Sequence, residues 1–162
     1  MSWTTARWER SIRLARRARL LGRLAEAVDA AGLMDQVPAP VRRHLVAEQR
    51  VSRSRTSAMR WAMDRVMVVL ADAPYPKILL KGAAYVAQQL PIAPGRLPSD
   101  LDIMVPKADV DDAQRRLLAA GWTEAQLDAH DRQYYMDWSH EVPPMTHPSL
   151  QIELDLHHNI LP

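Results

Sequence analysis

The apolar residues of this chain change their repeat once, at Pro74 and Pro76, and that change limits the folds open to it. Before it the spacing is helical. Leu14, Leu21, Leu24 and Val28, with Ala18 and Ala25 between them, recur on one face from Trp8 to Ala31, and Gly32 supplies a stop. After the break VPAP a second helical stretch starts near Pro40 and runs through Leu45, Met59, Met63, Val66 and Leu70 to the two prolines. Its polar middle, EQRVSRSRTS, reads as a kink or an exposed turn. Beyond Pro76, KILL (Lys77 to Leu80) reads as a short buried strand, Gly82 as a turn and AAYVAQQL as a helix stopped by Pro91. A proline-rich loop then leads to DLDIMV, a strand ended by Pro106. ADVDDAQRRLLAAG is a helix with Asp109, Asp111 and Asp112 at its start, Arg115 and Arg116 later and Gly121 at its end, as the helix dipole favours. Finally, RQYYMDWSHEV and LQIELDLHH read as two strands joined across the turn-rich PPMTHPS. The expected fold is α+β, a small mixed β-sheet packed with helices and preceded by two N-terminal helices. Residues 1–75 form the helical region and 76–162 the α/β core.

Composition narrows the function classes. At 162 residues and 48% hydrophobic content the chain has the size and the apolar material of one ordinary domain. It has no cysteine, which excludes disulfides and thiolate metal sites and suits a reducing compartment. The N-terminus is basic but lacks the apolar core of a signal peptide, and the longest strongly apolar run, VMVVLA, is too short to span a bilayer, so the expected location is cytoplasmic. The net charge of +2 hides an asymmetry: residues 1–60 hold thirteen arginines against five acids, and the remainder holds eight bases against fourteen acids. The basic front reads either as solvated helix faces or as an arm that binds nucleic acid.

The chemistry concentrates in two strands. Side chains alternate along a strand, so Asp100 and Asp102 point the same way with Cα atoms ~6.5 to 7 Å apart. Carboxylates that close repel unless a cation or a proton lies between them. In QIELDLHH the same alternation puts Ile152, Leu154 and Leu156 on one face and Glu153, Asp155 and His157 on the other. If the two strands are neighbours, three or four carboxylate oxygens converge on a hard cation, and Mg²⁺ is held by few carboxylates plus substrate phosphates. His140, His147, His157 and His158 gather near the last strands without a compact zinc motif, and His157 reads as a neighbour of Asp155. His44 and His130 read as surface residues. Tyr134, Tyr135 and Trp138 suit core packing better than base stacking.

The ordered set LLKGAAY, GRLPSDLDIMV and IELDLHHNI resembles the DNA polymerase beta-like nucleotidyltransferase superfamily. It is most similar to the branch of uncharacterised bacterial nucleotidyltransferases with Lys-Gly, Asp-x-Asp and Asp-Leu-His motifs. The resemblance implies a metal-dependent enzyme that moves a nucleoside monophosphate from a nucleoside triphosphate to an acceptor hydroxyl and releases pyrophosphate. It implies that Asp100, Asp102 and Asp155 are the catalytic and metal-binding acids, with Glu153 the rival third acid, and that two Mg²⁺ or Mn²⁺ ions act. It also implies that Lys81, Gly82, Arg96 and Ser99 meet the nucleotide, with His157 accessory. Ala83 and Ala84 stand where the superfamily usually has a small polar residue. The branch ordinarily continues into further helices, so the chain is expected to lack a C-terminal helical part. The acceptor is a small molecule, a protein or an RNA, and the oligomeric state is open. Two other readings stand beside this one: a nucleotide-binding or regulatory module without turnover, and an RNA-binding protein that works through the arginine-rich N-terminal helices.

Overall fold

A computed structural model describes residues 3–125 and 142–159 of the chain. The expected strand RQYYMDWSHEV lies almost wholly outside the described residues, as do Tyr134, Tyr135, Trp138, His130 and His140. The described elements run α1 (Thr5–Arg17), α2 (Leu21–Ala30), α3 (Ala39–Val69), β1 (Ile78–Leu79), α4 (Lys81–Ala87), β2 (Asp100–Met104), α5 (Val110–Ala119), β3 (Thr123–Glu124), β4 (Met145–His147) and β5 (Leu150–His157). The α+β class holds, with helices leading into a small mixed sheet. No helix among the described residues is long and apolar enough to cross a membrane.

The chain divides into two compact units, Met1–Ser57 with Leu90–Pro98, and Ala58–Gln89 with Ser99–Pro162. In the first, Ile12, Leu21, Ala25, Val28, Val37, Val41 and Leu45 form a buried cluster. The single helix expected from Trp8 to Ala31 is two helices. Arg19, at φ 55°, takes the left-handed conformation, while Leu20 N–H donates to Ala15 O and Arg19 N–H to Arg16 O. That is the Schellman termination, which usually places glycine where this chain has arginine. The loop Leu90–Pro98 is fastened to α2 by close backbone approach. A Cβ on Gly22 would come within 2.2 Å of Gly95 O, and one on Gly95 within 2.4 Å of Gly22 O. Arg23 Nη1 reinforces the contact by donating to the carbonyls of Pro91 (2.8 Å) and Pro94 (3.0 Å).

Helix α3 runs unbroken through the polar stretch expected to kink or turn. Ser52 and Ser57 return their hydroxyl hydrogens to the helix carbonyls of Gln49 and Arg53, each at 3.0 Å, so neither competes for a non-helical backbone. Gln49 Nε2 donates to Asp29 (3.0 Å), and Arg53 pairs with Glu26 and Asp29. The polar middle is therefore an inter-helix contact. At the far end of α3, Lys77 Nζ donates to the carbonyls of Leu70 and Ala73.

The second unit carries a five-stranded sheet in the order β1-β2-β5-β4-β3. β2 and β5 pair in parallel and the other neighbours are antiparallel. β4 lies inside the stretch PPMTHPS that reads as a turn, and it pairs with β5 through a short reversal at Pro148 and Ser149. Leu101 and Ile103 of β2, with Ile152, Leu154 and Leu156 of β5, form the apolar face and are at most 3% exposed. Met59, Ala62, Met63 and Val66 of α3, Leu70 just after it, Ala83 and Val86 of α4, and Val110, Ala113 and Leu117 of α5 are buried in the same unit.

Candidate functional site

The parallel β2–β5 pair brings the two acidic strand faces together. Asp100 lies opposite Glu153, Asp102 opposite Asp155 and Met104 opposite His157. Neighbouring strands are ~4.8 Å apart, so partners on one face sit within reach of a shared ligand. Asp100, Asp102 and Asp155 each offer a carboxylate oxygen within 4.8 Å of the others. Among the described residues they are the one group of three or more His, Asp or Glu side chains so placed. Glu153, on the same face and exposed, falls outside the cluster. Three convergent carboxylates are hard oxygen donors, and they fit a magnesium-like ion that keeps open positions for water or phosphate.

Asp102 is the deepest of the three, at 1% exposure. Its Oδ1 accepts from Lys81 Nζ at 2.6 Å and lies 2.9 Å from His157 Nε2, itself nearly buried. Burial pushes the Asp102 carboxyl upward, but the hydrogen bonds from His157 and Lys81 and their charges outweigh it and hold the pKa below the usual carboxylate value. The group is thus an ionised acceptor, and the His157 nitrogen facing it carries the hydrogen. The backbone fixes the same corner: Leu80 N–H donates to Asp102 O, and Val105 N–H donates to His157 O, each at 3.0 Å. His157 meets a carboxylate of the acidic strand face, as its position in the alternation predicts, and that carboxylate is Asp102. The strand alternation that put His157 on the acidic face carried that information, but the parallel register was needed to name the partner.

Lys81 opens α4 at φ 42°, a left-handed conformation that costs a side chain about 1–3 kcal/mol unless its surroundings impose it. The expected turn residue was Gly82; the left-handed turn instead falls on Lys81, and Gly82 is the second residue of the helix. Ser99 Oγ donates to Asp100 Oδ1 at 2.5 Å. Arg96 sits exposed on the loop that belongs to the first unit, its N–H bonded to Ala93 O. His44 is exposed on α3, and His147 lies in β4.

No curated protein and no solved structure matches the chain. A family model described as "Uncharacterised nucleotidyltransferase" matches residues 4–162. An Asp-x-Asp strand beside a third aspartate, within a match that covers nearly every residue, places this chain in that nucleotidyltransferase family.

Proposed function

We propose that the chain transfers a nucleoside monophosphate from a nucleoside triphosphate to an acceptor hydroxyl, with Asp100, Asp102 and Asp155 as its metal-binding acids. The observation that carries this reading is the convergence of the three carboxylates on one face of the β2–β5 pair. Two Mg²⁺ or Mn²⁺ ions held there would polarise the phosphate and lower the acceptor hydroxyl's pKa. Asp155, half-buried at the edge of the cluster, takes the acceptor proton. The acceptor oxygen bonds to the α-phosphorus as the bond to the bridging oxygen of pyrophosphate breaks, so the proton, the nucleotidyl group and the leaving group are all accounted for. Positioning and electrostatics carry most of the rate, since phosphoryl-type transfer asks little covalent work of the protein.

The surrounding residues have graded roles in this reading. His157 is a positioning residue: its hydrogen bond keeps Asp102 ionised and fixes its rotamer. Lys81 offsets negative charge beside the cluster and approaches the triphosphate, with Gly82 leaving the start of α4 open to close backbone approach. Ser99 orients Asp100. The carboxylate cluster favours an active catalyst over a nucleotide-binding module without turnover. Calorimetric titration of ATP, with and without Mg²⁺, tests the reading on the wild type and on Asp102→Asn. Binding that needs both the metal and Asp102 supports it; absence of binding by the wild type in Mg²⁺, or metal-independent binding that survives Asp102→Asn, rejects it.

A further inference from the structure

The face of the sheet opposite the carboxylates carries a concavity. Leu150 shares the parity of Ile152, Leu154 and Leu156, and it helps line a cavity of about 290 Å³ between the end of α3, the turn after α5 and the β4–β5 hairpin. Core packing leaves the α3 wall unexplained. Trp61 and Val68 are 45% and 73% exposed, while the core face of the same helix is filled by Met59, Ala62, Met63 and Val66. Between Trp61 and Val68 stands Arg65, whose guanidinium lies 5.6 Å from the centroid of the Trp61 ring. No carboxylate among the described residues pairs with Arg65. The opposite wall is His147, tilted against buried Trp122 at 5.5 Å between ring centroids. His147 Nδ1 accepts the Ser149 N–H at 3.1 Å, so in the neutral ring Nε2 carries the hydrogen and can donate.

These walls have complementary requirements. An exposed indole with a branched aliphatic neighbour takes a flat apolar body, and a guanidinium held over that indole takes a planar anion by a two-point contact. The volume lies at the lower end for small-molecule pockets, which suits a one- or two-ring compound better than a triphosphate. We propose that this cavity binds a small planar aromatic carboxylate, with Trp61 stacking its ring and Arg65 holding its carboxylate. Because the cavity and the aspartates occupy opposite sheet faces, this site is independent of the nucleotidyl-transfer reading and stands or falls without it.

Calorimetry with 2-naphthoate as probe and 2-naphthalenemethanol as its neutral counterpart tests the site on the full chain. The wild type is expected to bind 2-naphthoate one to one. Arg65→Met, which keeps the stem and removes the charge, should weaken 2-naphthoate about tenfold and leave the neutral probe unchanged. Trp61→Ala should weaken both probes, and Asp102→Asn neither; both cavity substitutions fall at exposed positions of an intact helix. Lack of one-to-one 2-naphthoate binding by the wild type overturns the proposal. So does 2-naphthoate affinity that Arg65→Met or Trp61→Ala leaves unaltered.

Discussion

The two units handle charge in opposite ways. In the first, Arg7, Arg10, Arg13, Arg16 and Arg17 stand exposed on α1, and the pairs of Arg53 with Glu26 and Asp29 lie at the surface of helices already packed through Ile12, Leu21 and Leu45. Exposed pairs of this kind contribute about 0–1 kcal/mol each, so the many arginines say little about what holds that unit together. In the second, one carboxylate is buried on a sheet strand and kept ionised by a lysine and a histidine. A buried charge is costly unless paired, and an arrangement that bears this cost beside two more carboxylates points to chemistry rather than to packing. Charge count is thus highest in one unit and charge consequence in the other.

The largest expected effect tests that contrast directly. Asp102→Ala should abolish Mg²⁺-dependent ATP binding and lower nucleotidyl transfer on the order of 10³-fold, while the double substitution Arg13→Ala/Arg17→Ala leaves both within about twofold. Isotope-labelled nucleoside triphosphate, followed into any acceptor, reads the transfer. Loss of comparable size in the arginine variant would move the functional weight to the first unit and favour its nucleic-acid reading, in which RNA affinity falls steeply with salt.

A smaller effect should come from backbone rather than charge in the first unit. Gly95 sits at φ 77°, and its Cβ position is already occupied by the Gly22 carbonyl and the Arg23 nitrogen. Gly95→Ala must both strain that conformation and separate the loop from α2. It should cost about 2–4 kcal/mol in urea unfolding. Arg53→Ala in the same unit should cost under about 1 kcal/mol. If the two variants prove equally mild, glycine contact is not what fastens the loop, and the donations from Arg23 to Pro91 and Pro94 must carry it.

What could be read from the chain beforehand follows the range of each signal. The alternation in DLDIMV and QIELDLHH is local, and both strands appear with the acids on one face. That β5 lies against β2 is not local: more than forty residues separate them, and no residue pattern within either strand encodes its neighbour. Helix ends divide in the same way. Gly32 and Gly121 take φ 67° and 93° where stops were expected, but Arg19 and Gln89 adopt the same left-handed conformation with no glycine to announce it. The run EQRVSRSRTS looks like a break because serine and arginine are poor core residues. It is helical because its partners, Glu26 and Asp29, come from another helix. β4 hides among prolines that flank it rather than interrupt it.

The smallest expected effect compares Asp102 with an acid of the same unit that is only half-buried. Asp112, near the start of α5, accepts from Arg116 Nε at 2.5 Å and from Tyr75 Oη at 3.1 Å, and pairs with Arg115 at 3.2 Å. The Arg116 hydrogen bond outweighs partial desolvation, and with the Tyr75 bond and the two arginine charges it lowers the Asp112 pKa. A depressed carboxylate stabilises the fold above its unfolded value of ~3.9, and that contribution is lost as pH falls through the folded value. Tyr75 carries the opposite sign: burial first, then its bond to Asp112, raises its pKa, so its contribution is present below ~10 and disappears as pH rises through the folded value. The stability gap between wild type and Asp112→Asn should therefore be flat near neutrality and shrink at both ends. Urea unfolding at pH 3, 7 and 10.5 measures it. A gap unchanged between pH 7 and 3 would mean that Asp112 acts through its shape and hydrogen bonds alone. The acid sensitivity of the second unit would then have to come from its other carboxylates, the buried Asp102 first among them.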